Sequence, residues 1–213
     1  MQRISVVDYG IGNLLSVRRA FEHFGAEVEF VRTPAGVAAA DRLVLPGVGA
    51  FADGMKGLSS RDLIEPIHEF AGRQRPFLGI CLGMQMMFDS SEEFGEHKGL
   101  GLIPGRVIAI PSQGIDRVPH RIPHIGWNAL VLPPARPDWN GSVLEDVPFG
   151  TFVYFVHSFT AVPEREEYRL ADCHYDGLVI SAMVQRDHLC AAQFHPEKSG
   201  EMGLRIIRSF LRW

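Results

Sequence analysis

The stretch PFLGICLGMQMMF, Pro76 to Phe88, runs from a short apolar segment into a cysteine placed between Gly79 and Gly83. An apolar run that ends in Gly-x-Cys-x-Gly and passes straight into helix-forming residues reads as a buried strand, a tight turn and a helix. That is the cysteine counterpart of a nucleophile elbow. Glycines on both sides keep Cβ atoms out of the turn, so Cys81 can project from it. Its place at a helix N-terminus favours the thiolate through the helix dipole. In open α/β sheets the carboxyl end of a strand is also where ligands bind. Most lone cysteines are buried structural residues. The elbow alone leaves the two readings level, and a partner base decides between them.

Outward from the elbow, the first half of the chain alternates strand and helix signals. ISVVD is a short β-branched run. NLLSVRRAFEHFG follows with Leu14, Leu15, Val17, Phe21 and Phe24 at helical spacing, Asn13 as N-cap and Gly25 as the stop. AEVEFV and RLVLPG read as the next two strands, a helix is expected around Leu63 to Phe70, and PFLGI is the fourth strand. Strands alternating with helices imply a parallel sheet with right-handed crossovers. From Gly105 onward RVIAI, TFVYFVHSF, LVISAMVQ and LCAAQF are β-rich, with YDG and RDH as turns, and a helix over Glu201 to Leu211 closes the chain. VLPPARPDW reads as a surface loop. The expectation is an α/β fold: a mostly parallel central sheet flanked by helices, with a β-rich second half, in a single domain spanning residues 1–213.

Composition narrows the function. With 213 residues there is enough chain for a sizeable core, and 46% hydrophobic with 22% charged residues is ordinary for a globular protein. The net charge of −4 and the scattered basic residues give no electrostatic footprint for nucleic acid or an anionic membrane. No apolar run approaches the ~20 residues that span a bilayer. The start, MQRISVVDYG, lacks the features of a signal peptide. Three cysteines, Cys81, Cys173 and Cys190, argue for a reducing compartment, so a cytoplasmic location is expected.

The partner base lies in AAQFHPEKS. His195 and Glu197 follow a late strand two positions apart, so in an extended chain they point the same way. A carboxylate beside an imidazole fixes its tautomer and stabilises the imidazolium, leaving the other nitrogen for a nucleophile. A satisfied strand-end histidine is the plainer alternative. The conjunction of an elbow cysteine with a late His-x-Glu tips the balance.

These residues carry a family resemblance. Gly79-Ile80-Cys81-Leu82-Gly83 with His195-Pro196-Glu197 resembles the class I, or triad, glutamine amidotransferases. Within them the chain is similar to the glutaminase subunits of imidazole glycerol phosphate synthases. Their pattern recurs in order as DYGIGNL, LPGVGAF, GICLGMQMMF, GLGLIPG, PHIGWN, YFVHSF and QFHPEKSG. The resemblance implies an enzyme in which Cys81 attacks the side-chain amide of L-glutamine, His195 protonates the departing ammonia and Glu197 holds the ring. It implies an oxyanion hole from the Leu82 amide and from Val48 or Gly49 in the PGVG loop, whose glycines permit a peptide flip that would serve as a gate. Gln85 and Glu93, with Glu92 as the alternative register, would bind the amino-acid end of glutamine, and His157 and Ser158 would offer backbone contacts. Phe159 stands where the family often has tyrosine. No cofactor is implied. The implied partner is a (β/α)8-barrel cyclase that uses the ammonia in histidine biosynthesis, docked as a heterodimer through Asn13, Trp127, Asn128, Tyr154 and Lys198. A paralogue serving a sugar-modifying synthase in surface-polysaccharide synthesis, and a catalytically silent binding module, are the competing readings.

Two motifs are set aside. DYGIGN begins like a dinucleotide fingerprint, but the third glycine would fall at Leu15, so a tight turn is the better reading. HRIPH spaces His120 and His124 as in a helical zinc site, yet Pro119 and Pro123 deny it a helix. Cys173 and Cys190 lack an elbow and are expected to be buried.

Overall fold

A computed structural model describes residues 2–213. In chain order the first half contains β1 (Arg3–Val7), α1 (Leu14–Glu22), β2 (Glu27–Val31), α2 (Pro34–Ala38), β3 (Leu43–Gly47), α3 (Phe51–Ser59) and α4 (Ile64–Gly72). β4 (Phe77–Cys81), α5 (Leu82–Met86), β5 (Phe88–Ser91), β6 (His97–Lys98) and β7 (Ile103–Ala109) follow. The second half contains β8 (His124–Ala129), β9 (Phe152–His157), β10 (Phe159–Pro163), β11 (Arg169–Tyr175), β12 (Leu178–Arg186), β13 (Leu189–Ala192) and α6 (Gly200–Arg212).

The central sheet has seven strands in the order β11-β12-β13-β4-β3-β1-β2. Pairing is parallel from β2 through β13 and antiparallel in the β11-β12-β13 hairpins. The β-rich half therefore completes the central sheet: β13 returns to lie parallel to β4. Two smaller sheets stand beside it, β10-β7-β5-β6 and the antiparallel ribbon β8-β9. Apolar residues alternate along the central strands, so the sheet has two buried faces. Val44, Leu78 and Ile80 point to one core, and Leu43, Leu45 and Phe77 to the other.

Several expectations change. Leu15 belongs to the helical apolar spacing but is 61% exposed, because α1 buries only Val17, Ala20 and Phe21. Asn13 precedes α1 without a side-chain cap hydrogen bond. TFVYFVHSF is two strands, β9 and β10, parted at Ser158. Helix α3 was hidden by its two glycines, which the packing requires. A Cβ on Gly54 would meet Met86 Sδ at 2.6 Å, and one on Gly57 would meet the Tyr9 ring at 2.8 Å. Glycine weakens helix propensity by about 1 kcal/mol, and here tertiary packing overrides that cost.

Candidate active site

Three neighbouring parallel strands bring the site together at their carboxyl ends. Gly47 at the end of β3 pairs with Cys81 at the end of β4, and Ala192 of β13 pairs with Ile80. The segments leaving these strands carry Val48 and Gly49, Leu82, and His195. All of them line one cavity of about 340 Å³, together with Cys81, Gln85, Glu93, Pro123, Val156, His157, Ser158, Phe159 and Lys198.

Cys81 stands in a strained turn. Its φ of 54° is in a region L side chains avoid, which costs about 1–3 kcal/mol. The turn is held by close packing: a Cβ on Gly83 would collide with the backbone carbonyl of Leu45, and one on Gly79 would meet Met87 Sδ at 2.7 Å. The following helix α5 has only five residues. Its dipole is therefore slight, and its main contribution is the amide of Leu82, a first-turn N–H without an intrahelical partner.

His195 donates through Nδ1 to Glu197 Oε1 at 2.8 Å, and both side chains are buried. This leaves Nε2 as the nitrogen for Cys81. Nε2 has no partner of ordinary hydrogen-bond geometry, yet the thiol lies close enough to act on the ring. Burial alone would pull the His195 pKa down, but interaction with Cys81 and Glu197 outweighs it and raises the value to about 9. The imidazolium is thus the resting form at neutral pH. The backbone around His195 is clamped to β9: its N–H donates to Tyr154 O at 2.9 Å. Ser199 Oγ donates to His195 O at 2.7 Å and accepts from Tyr154 N at 3.0 Å.

The PGVG loop is pinned at one end and loose at the other. Tyr9 Oη donates to Pro46 O at 2.8 Å. Burial, reinforced by nearby Cys81, pushes the Tyr9 pKa upward, which keeps the phenol a donor. A Cβ on Gly47 would meet Tyr9 Oη at 2.5 Å, whereas one on Gly49, at φ +89°, would meet nothing within 4 Å.

The candidate substrate groups are spread around the cavity. Glu93 lines it and accepts the Phe51 N–H at 2.6 Å through Oε2, at the start of α3. Glu92 is exposed and does not line it. Gln85 Nε2 donates to Phe159 O at 3.2 Å and to Gln193 Oε1 at 3.1 Å, so its Oε1 remains to meet a ligand. The imidazole of His157 faces inward. Its Nδ1 donates to Phe159 O at 2.8 Å, so the neutral ring accepts at Nε2 from His124 Nδ1 at 3.0 Å. Burial is the main cause that lowers His157 to about 3, and it likewise lowers His124 to about 4. His124 stacks on Phe155 and Tyr175. His120 pairs with Asp176, and among the described residues no cluster fit to hold a metal ion is found. Cys173 and Cys190 are buried, and burial pushes both thiols up, away from reactivity.

The residues named for a partner surface fall in different settings. Trp127 is 54% exposed and meets Tyr154 edge-on at 6.0 Å on the outer face of the β8-β9 ribbon. Asn13 and Lys198 are exposed, and Lys198 also lines the cavity. The Asn128 side chain is spent internally: it donates to His174 O at 2.7 Å and accepts from Ala129 N at 2.8 Å. Sequence reasoning did not single out Tyr9, Gln193 or Ser199, and it weighed His124 only as a metal ligand. Gln193 carried a usable signal, since it lies two residues before His195 on the same side of an extended chain.

An α/β fold with an elbow cysteine and a buried His-Glu pair lining one cavity fits a cysteine-dependent acyl-transfer enzyme of the amidase type. Comparison with known proteins narrows the class. The family model for glutamine amidotransferase class-I matches residues 5–213. Imidazole glycerol phosphate synthase subunit HisH 1 of Legionella pneumophila (strain Lens) is 57% identical over 212 residues, covering 100% of both chains. The chloroplastic imidazole glycerol phosphate synthase hisHF of Arabidopsis thaliana is 46% identical over 211 residues, spanning 98% of this chain and 34% of that one. A crystal structure of a glutamine amidotransferase superposes with a TM-score of 0.73 at 17% identity, covering 98% and 97% of the two chains. The chain belongs to the class I glutamine amidotransferase family.

Proposed function

We propose that this chain is the glutaminase subunit of an imidazole glycerol phosphate synthase. It hydrolyses L-glutamine and passes the ammonia to a (β/α)8-barrel cyclase partner in histidine biosynthesis. The observation that carries the reading is the convergence of Cys81, the His195–Glu197 pair and the Leu82 and Val48–Gly49 backbone on one cavity. In the first half-reaction Cys81 Sγ attacks the glutamine Cδ, and the oxyanion is met by the Leu82 amide and an amide of the PGVG loop. The His195 imidazolium gives its proton to the leaving nitrogen, which departs as ammonia and leaves a glutamyl thioester. His195, now neutral, takes a proton from water as it attacks the thioester, and glutamate leaves. Glu93 and the free oxygen of Gln85 suit the substrate ammonium, because both are acceptors.

The relatives named as synthase subunits favour histidine biosynthesis over the surface-polysaccharide alternative. The outer face of β8-β9 fits a docking surface. Ile125, Trp127 and Phe152 are exposed there, and Val156 continues the same face into the cavity. Gly49, free to turn beside pinned Gly47, fits a gate that completes the oxyanion hole when the barrel docks. A cytoplasmic location is part of the same proposal.

The test is glutaminase turnover of the purified chain with and without the cyclase barrel and its nucleotide substrate. A glutamine-derived diazoketone added to the chain should label Cys81. Turnover that rises by orders of magnitude on adding the barrel supports both the activity and the gate. High turnover by the chain alone removes the gate, and an unlabelled Cys81 in folded protein removes the activity.

A further inference from the structure

Two buried side-chain amides connect the substrate strand to the nucleophile. The carbonyl of Phe159, at the start of β10, can only accept, so the Gln85 amide must turn its NH2 toward it. The same NH2 donates to Gln193 Oε1. That contact fixes the second amide in turn: Gln193 Nε2 faces Cys81 Sγ at 3.9 Å. The distance is long, as expected for an N–H donating to sulfur, whose radius exceeds that of oxygen. Gln193 is fully buried and follows the last residue of β13, two residues before His195. One carbonyl thus orients a relay whose last donor points at the reacting atom.

We propose that Gln193 is a positioning residue for the reaction, its amide donating to the Cys81 thiolate and holding it for attack, with Gln85 as the clamp that fixes the direction of that donor. The proposal rests on Cys81 being the nucleophile of the proposed glutaminase. It gives Gln85 a second task beside any contact with glutamine. A thiolate accepts a hydrogen bond far better than a thiol, so the contact favours the charged, attacking form. The donor also opposes migration of Sγ toward the buried imidazolium, where the thiolate would be re-protonated.

The test uses the full-length chain and iodoacetamide, which does not occupy the amino-acid subsite. Alkylation of Cys81 is followed by mass spectrometry from about pH 5.5 to about pH 10 for the wild type, Gln193→Leu and Gln85→Met. A hydrogen bond to a charged acceptor is worth about 1.5–3 kcal/mol, so Gln193→Leu should slow alkylation near pH 7 about tenfold or more. The midpoint of the profile should move to higher pH, and the rate near pH 10 should stay within about twofold. Gln85→Met, which leaves Gln193 free to rotate, should shift the profile the same way by about threefold near pH 7. If Gln193→Leu fails to fold, Gln85→Met decides alone. Profiles that superimpose on the wild type, or fall equally at every pH, overturn the inference. A wild-type Cys81 that never reacts overturns the proposed function instead, so the two failures are distinct.

Discussion

The floor and the rim of the cavity are built in opposite ways. The floor, where β3, β4 and β13 end, is over-determined: Gly47, Gly79 and Gly83 are packed against backbone or buried side chains, and Cys81 is held at positive φ between them. The rim on the β8-β9 side exposes Ile125, Trp127 and Phe152, while only alternate residues of the ribbon point inward. Catalysis needs atoms held within tenths of an ångström, and only a close-packed core supplies that. A docking surface needs area that is free until the partner arrives. The difference teaches that substitutions should divide sharply by side of the cavity.

The largest effect is expected at the floor. Gly83→Ala places a methyl against the Leu45 carbonyl, which belongs to a central strand and cannot retreat. A loss of more than about 4 kcal/mol, or no folded protein, should appear in urea unfolding. A variant of near wild-type stability would break the comparison.

Next comes Glu197→Gln, which keeps the shape but removes the charge holding His195 high. Because Glu197 helps raise the His195 pKa to about 9, its loss should lower that value. The protonated ring that feeds the leaving ammonia would then be lost at lower pH. The alkaline limb of kcat should move from near 9 toward the ordinary histidine range, and kcat at neutral pH should fall about a hundredfold. A limb that stays in place would show that Cys81 alone sets the His195 proton.

A smaller effect concerns the wall between floor and rim. His157 is held near a pKa of 3 by burial, against about 6.5 in the unfolded chain. Between those values the unfolded chain binds more protons. The stability from keeping His157 neutral is therefore fully present above about 6.5 and is lost as pH falls toward 3, at up to ~1.4 kcal/mol per pH unit. His157→Met should flatten the dependence of the urea midpoint between about pH 5 and pH 7, leaving the share that His124 contributes in the same direction. An unchanged slope would place the acid sensitivity elsewhere.

The smallest effect on stability is expected at the rim. Trp127→Ala removes a half-exposed ring whose neighbour is the edge of Tyr154, and should cost under about 1 kcal/mol. Affinity for the proposed cyclase barrel should nevertheless fall about tenfold or more, read by titration calorimetry. A large stability loss with unchanged docking would reverse the roles of the two sides.

Legibility followed the same division. The strands β1 to β4 announce themselves as short runs bounded by turn residues, and the closing helix by apolar residues at helical spacing. Helix α3 does not, since Gly54 and Gly57 depress its propensity for reasons that lie in Met86, Leu82 and Tyr9, far away in the chain. Strand β8 is equally silent, because its six residues follow Pro123 and contain Gly126, and the strand it pairs with, β9, begins 23 residues after it ends. At the site, the elbow and the His-x-Glu spacing were readable as local chemistry. Tyr9 holding Pro46, Ser199 clamping His195 and Gln193 facing Cys81 were not, because each is a contact across distant segments.

The sequence by itself determined the kind of fold and the candidate reacting groups. Period-2 and helical patterns, the glycine-flanked Cys81 and the His195–Glu197 spacing are written over a few residues, where short-range sterics and charge dominate. Tertiary structure alone decided which strands lie side by side, and therefore that Gly47, Cys81 and His195 end up around one cavity. It also decided the direction of the buried amides and the neutrality of His157. Those depend on desolvation and on partners supplied by other strands, quantities that exist only once the chain has closed on itself.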